Sequence, residues 1–355
     1  MLRRRTLTLS LSGILLVGFG AGTLLQPVPY AQETPGPTFD VLGSYQSTPL
    51  ITITGHETSV TTGQLRMVTV GVSSESYQMP IYAAIAGWLS PSQSILPKEV
   101  IYPPNTTQQQ SDTQNAVEFT DSQNQAVSAA LGALGIKPSG VATEVAAITP
   151  GSPADGKLEV GDQIDSVNGT AIAQTGDDGI NQVRAAVEAL TPGHPATFVV
   201  TRDGAKQTIT TTTTSETDST TGKAEAVVGV SLESENLFPF TVDIQLNGVG
   251  GPSAGMMFAL GIIDKLTNGD LTGGRIIAGT GTIDASGNVG AIGGIQMKTQ
   301  GARRDGATVF LAPAANCAEA KSNLPSGLEL VKVSTLQDAL NALSDIRAGK
   351  TPPLC

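Results

Sequence analysis

The chain has 355 residues, a length for two or three domains with room for a sizeable core. Only 14% of residues are charged, the balance is −11, and no basic cluster stands outside the first five residues, which speaks against nucleic-acid binding. Two Cys and two His exclude zinc fingers, four-cysteine iron–sulfur clusters and His-rich metal sites. No GxxxxGKS or GxxxxGKT occurs, so there is no recognisable P-loop, and no cofactor or metal is expected.

Residues 6–25 carry no charge and follow Arg3, Arg4 and Arg5. About 20 residues at about 1.5 Å each cover a bilayer core. The expectation is one N-terminal transmembrane helix within 1–32, arginines inside and the rest outside. A cleaved signal peptide is the rival reading, with only Gly20-Ala21-Gly22 as a weak cleavage candidate. Either way the residues after about 32 are expected across the membrane, and the anchor reading places the protein at the cell membrane with its body extracytoplasmic.

Residues 33–38 (ETPGPT) read as an extended linker, followed by strand-like runs at 50–54 and 64–72. Residues 80–89 form an apolar, helix-like stretch holding the only Trp, Trp88, expected as a core or interface anchor. The polar run 105–112 reads as a loop. Phe119, Ala126, Ala130 and Leu134 recur at helical spacing and predict a helix over 121–134.

The stretch 140–214 differs in character. Strand 141–148 is followed by a turn cluster (TPGSPAD) and an alternating run that ends in Asn168-Gly169, a hairpin signal. A helix over 180–190 and a hairpin around Asp203-Gly204 complete it. The pattern SPAxxxxLxxGDxIxxVNGxxI resembles a PDZ domain of the kind attached to bacterial proteases. By that resemblance a substrate peptide adds a strand beside 140–145, at Gly140, Val141 and Ala142, and leans on Val183 and Val187. A spacer that binds nothing is the bland alternative. A Thr/Ser-rich stretch, 208–222, then runs into a linker.

Gly248-Val-Gly-Gly-Pro-Ser-Ala-Gly255 opens the apolar stretch 256–266. Pro252 suits a first helical turn, and the helix behind it is apolar nearly all round, hence expected to be buried. Ser253 thus stands near a helix N-terminus, where backbone N–H groups can hold an oxyanion. Alone, this pattern equally fits a capping serine or a phosphate loop. Lys298 lies 45 positions on, among small and apolar residues, and a buried lysine can serve as a base. His56 and His194 sit in turns and read as surface residues.

GPSAG, then a TGT strand, then GGIxxK entering a helix, resembles the proteolytic domain of the Lon protease family. With the PDZ-like segment and one anchor, the chain looks like the membrane-anchored PDZ–Lon proteins of Gram-positive bacteria. The resemblance implies an α+β Lon-type proteolytic domain split by a PDZ-like insertion. Its parts are 1–32 (anchor or signal peptide and flank), 33–135 (linker and first part of the protease domain), 136–215 (PDZ-like domain) and 216–355 (the Ser-Lys part). It implies Ser253 as nucleophile, Lys298 as general base, Thr280 as the group orienting the lysine, and Gly251, Pro252 and Ala254 as the oxyanion loop. The activity implied is an ATP-independent serine endopeptidase acting on unfolded or exposed extracytoplasmic proteins. The alternative is a non-catalytic, membrane-anchored peptide-binding scaffold. Assembly into a homo-oligomer is left open. The family often has an acidic residue just before GPSAG; here Gly250-Gly251 stand there.

An exported compartment permits disulfides, and Cys317 and Cys355 are the only cysteines. A bond between them is expected to tether the C-terminal tail, worth roughly 3–4 kcal/mol in the chain-entropy model. Finally, Thr335 and Asp338 form a capping-box pattern that predicts the start of a last helix.

Overall fold

The structure is a computed structural model that describes residues 11, 15–16, 18–20, 22–103, 108–173, 177–202, 204–217, 222–246 and 248–355. Much of the 6–25 run lies outside the described residues; among those described, no helix is long and apolar enough to cross a membrane.

A six-stranded mixed sheet forms the larger unit, in the order Glu329–Val333, Val309–Pro313, Ile276–Gly279, Gln64–Val72, Tyr30–Asp40, Ser94–Pro97. The first four strands run parallel and the last two pairings are antiparallel. Val309–Pro313 is buried throughout, as a parallel strand covered on both faces must be. Alternation divides the core. Met67, Ile277, Leu311 and Val331 pack with the buried helix Gly255–Leu266 and the last helix Leu336–Arg347. Val68, Ala278, Phe310 and Leu330 face Ile295 and Ala302 of the helix Ile295–Arg304 on the other side. The last helix begins as expected: Thr335 Oγ1 accepts from the Asp338 N–H at 3.1 Å, and Asp338 Oδ2 accepts from the Thr335 N–H at 3.0 Å.

Three local expectations need correction. The helix expected over 121–134 spans Gln108–Ala133, so most of the run read as a loop is helical. Its first half is polar, and it lacks an apolar stripe to announce it, yet Gln is a good helix former and no Pro or Gly interrupts 108–131. The helix after GPSAG begins at Gly255, so Pro252 precedes its first turn. Of the two places expected for Trp88, core or interface, the core is excluded: it ends the helix Ile81–Trp88 and is 57% exposed.

The inserted unit is a five-stranded antiparallel sheet in the order Ala205–Thr212, Pro195–Arg202, Gln163–Val167, Gly140–Ile148, Val230–Leu237, with the helix Asp177–Glu188 packed on it. A short segment, Thr170–Ala171, pairs with Gln163–Val167 off this path. Its sequence signals have structural causes. Asp162 of the Gly-Asp pair is fully buried; it grips Arg202 with two bonds of 2.7 Å and accepts from the Glu159 N–H at 2.9 Å. Asn168 and Gly169 both take positive φ, as the tight hairpin requires.

The fifth strand overturns the expected peptide edge. Gly140, Val141 and Ala142 are paired with Leu237, Asn236 and Glu235 of the same chain, so no peptide can add there. A strand from beyond 215 fills that position, and the sheet therefore takes in residues past the expected boundary.

Strands from both sides of this insertion rejoin: Gln64–Val72 pairs with Ile276–Gly279, and Ile51–Thr54 with Thr241–Ile244. The helix Gln108–Ala133 lies against the inserted sheet, with Asn124 donating to Glu233 at 2.9 Å and Asn236 to Ser128 at 3.0 Å. At the C-terminus a Cys317–Cys355 disulfide, with Cα atoms 5.2 Å apart, ties the tail to the start of the helix Cys317–Ser322.

Candidate active site

Three elements converge on one cavity. Ser253 sits in the turn before the buried helix Gly255–Leu266. Thr280 directly follows the strand Ile276–Gly279. Lys298 lies in the first turn of Ile295–Arg304, whose N-cap Gly294 takes φ +66°; a Cβ there would lie 2.7 Å from a Val70 methyl, so glycine lets the helix sit close to the sheet.

Lys298 Nζ lies 2.8 Å from Ser253 Oγ and 3.3 Å from Thr280 Oγ1. Thr280 Oγ1 in turn donates to the Ser253 carbonyl at 2.9 Å, and the Gly281 N–H donates to the same oxygen at 2.9 Å. Thr280 thus locks the Ser253 backbone and also faces the lysine. Lys298 is 4% exposed, and burial lowers its pKa to about 8, opposed by the charge of Glu33. Near neutral pH a useful fraction of the amine is therefore free to accept a proton. His56 and His194 are exposed.

The expected oxyanion loop is only partly available. The Gly251 N–H donates to the Asn115 carbonyl of the long helix at 3.1 Å, and Pro252 has no N–H. Gly251 takes φ +83°, which its glycine permits without strain. Its role is to turn the chain, while Ser122 Oγ holds the Pro252 carbonyl at 3.0 Å. Among the described residues the N–H groups of Ser253 and Ala254 donate to no other group and remain the donors beside Oγ.

The cavity over Ser253 and Lys298 is about 530 Å³. Glu33, Phe39, Tyr45, Met67, Val70 and Val249 contribute to its wall. Phe39 and Tyr45 meet edge to face at 5.2 Å. The sequence reading missed Glu33 and the two aromatic rings; nothing local marks them, because they arrive on strands more than 200 residues from Ser253. Burial pushes the Glu33 carboxyl up, helped by Glu319. Among the described residues no group of three or more His, Cys, Asp or Glu is placed to hold a metal ion.

A second concavity of about 410 Å³ runs between the helix Asp177–Glu188 and residues 226–232. Val183 and Val187 line it, with Ile180, Arg184, Val230 and Leu232. Val230–Leu237 is the outermost strand of its sheet, so its outer edge can accept another strand. The alternation of Val228, Val230 and Leu232, leading into this strand, is a signal by which it could have been found.

Residues 247–344 match the Lon protease (S16) C-terminal proteolytic domain, and residues 132–213 match the PDZ domain. Among curated proteins the chain is similar to Lon protease 2 of Bacillus subtilis (strain 168), 32% identical over 127 residues, 34% of this chain and 22% of that protein. It is also similar to the Lon protease of Clostridioides difficile (strain 630), 38% identical over 93 residues, 25% of this chain and 12% of that protein. The match thus spans about a fifth or less of these relatives. Among solved structures, the PDZ domain of the SdrC-like protein from Listeria innocua aligns at 14% identity and TM-score 0.22, covering 26% of this chain and 92% of that one. The corresponding domain from Listeria monocytogenes aligns at 16% and TM-score 0.21, covering 27% and 90%. On the family matches the chain carries a Lon-type proteolytic domain over 247–344 and a PDZ domain over 132–213, in a mixed α/β framework.

Proposed function

We propose that the protein is a Ser-Lys endopeptidase that cuts unfolded or exposed extracytoplasmic proteins without ATP. The observation that carries this reading is the contact of 2.8 Å between Ser253 Oγ and a buried Lys298 whose pKa is lowered to about 8. Neutral Lys298 takes the proton as Ser253 Oγ attacks the scissile carbonyl. The Ser253 and Ala254 N–H groups hold the oxyanion. The protonated lysine then gives its proton to the departing amine. A water, deprotonated by the same lysine, attacks the acyl-enzyme, and its proton returns to Ser253 Oγ as the acid leaves. Thr280 keeps the amine aimed.

The groove lined by Val183 and Val187 receives an extended peptide along the free edge of Val230–Leu237. This position replaces Gly140–Ala142 as the docking strand. The uncharged run 6–25 anchors the chain in the cell membrane, arginines inside.

The test is to incubate purified protein with an unfolded protein, with and without ATP, and with a serine-reactive probe. Cleavage that is indifferent to ATP, together with labelling at Ser253, is the expected result. Peptide binding in the groove with no cleavage and no labelling would leave the chain a peptide-binding scaffold.

A further inference from the structure

The helix Ile81–Trp88 (IYAAIAGW) has no charged residue. Its inner side is tightly seated: Ala84 and Gly87 are buried, and a Cβ on Gly87 would lie 2.4 Å from Ile95 Cδ1. Its outer side is unusual for a protein surface. Tyr82 is 52% exposed, Ile85 43%, Trp88 57% and the following Leu89 82%. Contiguous exposed apolar side chains of this size mark an interaction surface. Trp88 is held in place from one side by Tyr30, edge to face at 5.5 Å.

The position of the helix says what covers it. Its first residue, Ile81, donates its N–H to the Gln26 carbonyl at 3.0 Å, and Pro27–Val28 pairs with Met79–Pro80. Gln26 directly follows the uncharged run 6–25, whose last residues, Leu24 and Leu25, are 43% and 66% exposed. An eight-residue helix is about 12 Å long, so all of it lies close to the point where that run meets the fold. Trp and Tyr are the side chains that settle at the headgroup level of a bilayer.

We propose that the outer face of Ile81–Trp88, with Leu89, is a membrane-docking surface seated at the headgroup–acyl boundary beside the anchor. The proposal rests on the reading of 6–25 as that anchor. It has a consequence for catalysis. Tyr30 and Glu33 share the strand Tyr30–Asp40, and Glu33 lines the catalytic cavity about 10 Å further along. Docking therefore holds the cavity near the lipid surface, where membrane-proximal segments are within reach.

Trp88 is the only tryptophan and so reports on itself. The full chain is reconstituted into phosphatidylcholine vesicles with and without bromine near the headgroup end of the acyl chains. The expected result is co-sedimentation with vesicles, loss of more than half the Trp88 emission to brominated lipid, and protection from iodide. Leu89→Glu, at a site outside the catalytic machinery, should at least halve the lipid quenching and leave serine-probe labelling unchanged. Co-sedimentation with Trp88 open to iodide and indifferent to bromine would overturn docking and leave the anchor standing. Full lipid quenching in Leu89→Glu would also overturn it. A chain that stays in the supernatant would overturn both anchor and docking. Iodide protection that grows with protein concentration in the absence of lipid would assign the face to a second copy instead.

Discussion

Two buried polar regions invite comparison: the Ser253–Lys298 pair and the acidic seam where the long helix Gln108–Ala133 meets the inserted sheet. The physics of burial is the same in both. It lowers the pKa of Lys298 to about 8 and raises that of Glu233 to about 7. Glu144 is pushed up further, first by burial, then by its hydrogen bond to Glu235 and the charges of Glu235, Glu233 and Asp162. In each region burial shifts the balance toward the neutral form. The difference lies in the neighbours. Lys298 faces a hydroxyl that can lose a proton to it, in a cavity of about 530 Å³. The seam carboxylates face other carboxylates and the amides of Asn124 and Gln163. A perturbed ionisable group marks chemistry only when a reactive partner shares its pocket.

The largest expected effect breaks the first region. Ser253→Ala should reduce turnover by roughly 10³-fold or more while the fold survives, since one small hydroxyl is removed. Lys298→Ala should do the same. Lys298→Arg should not restore activity, because a guanidinium stays protonated. Peptide hydrolysis by each purified variant checks this; wild-type turnover in folded Ser253→Ala would remove the proposed nucleophile.

Next comes the pH dependence. A base that works only when neutral gives activity that rises about tenfold per pH unit below its pKa and levels off above about 8. Glu33→Gln removes the charge that holds the lysine's pKa up, so the rising limb should move to lower pH. A limb that stays in place would show that Glu33 does not reach Lys298 electrostatically.

The groove should give a smaller effect. Ile180→Asp places a charge in its apolar wall and should raise KM for an unfolded protein about tenfold, with kcat for a short peptide unchanged. Equal loss on both substrates would mean that the inserted unit shapes the catalytic cavity.

The smallest effect concerns the seam and stability. A carboxyl whose folded pKa is raised contributes most below its unfolded value, near 4.5, and loses that contribution as pH rises through the folded value, here about 7 for Glu233. Thermal stability should therefore fall between pH 5 and 8, and Glu233→Gln should flatten part of that slope. Parallel melting curves for wild type and variant would refute the seam's role.

Much of the site was legible because its signals are local. The glycine-rich turn, the apolar run after it and the lysine among small residues are each contiguous, and they place Ser253, Thr280 and Lys298 on a turn, a strand end and a helix. The Asn-Gly pair of the inserted unit and the capping box at Thr335 have local backbone causes, whereas Asp162 of the Gly-Asp pair caps the Glu159 N–H locally but also grips Arg202, 40 residues on.

What the sequence by itself determined was thus the chemistry available and the short elements that carry it. Tertiary structure alone decided which distant strands meet. Strand pairing is non-local, so the pairing of Gly140–Ile148 with Val230–Leu237, which moved the peptide edge off Gly140, Val141 and Ala142, left no mark within either segment. For the same reason Glu33, 220 residues before Ser253, reaches the cavity over Ser253 and Lys298 only because the strand Tyr30–Asp40 pairs with Gln64–Val72. Trp88 shows the converse: an apolar residue is drawn inside only if packing leaves it a place, and Ala84 and Gly87 occupy the inner face of its helix.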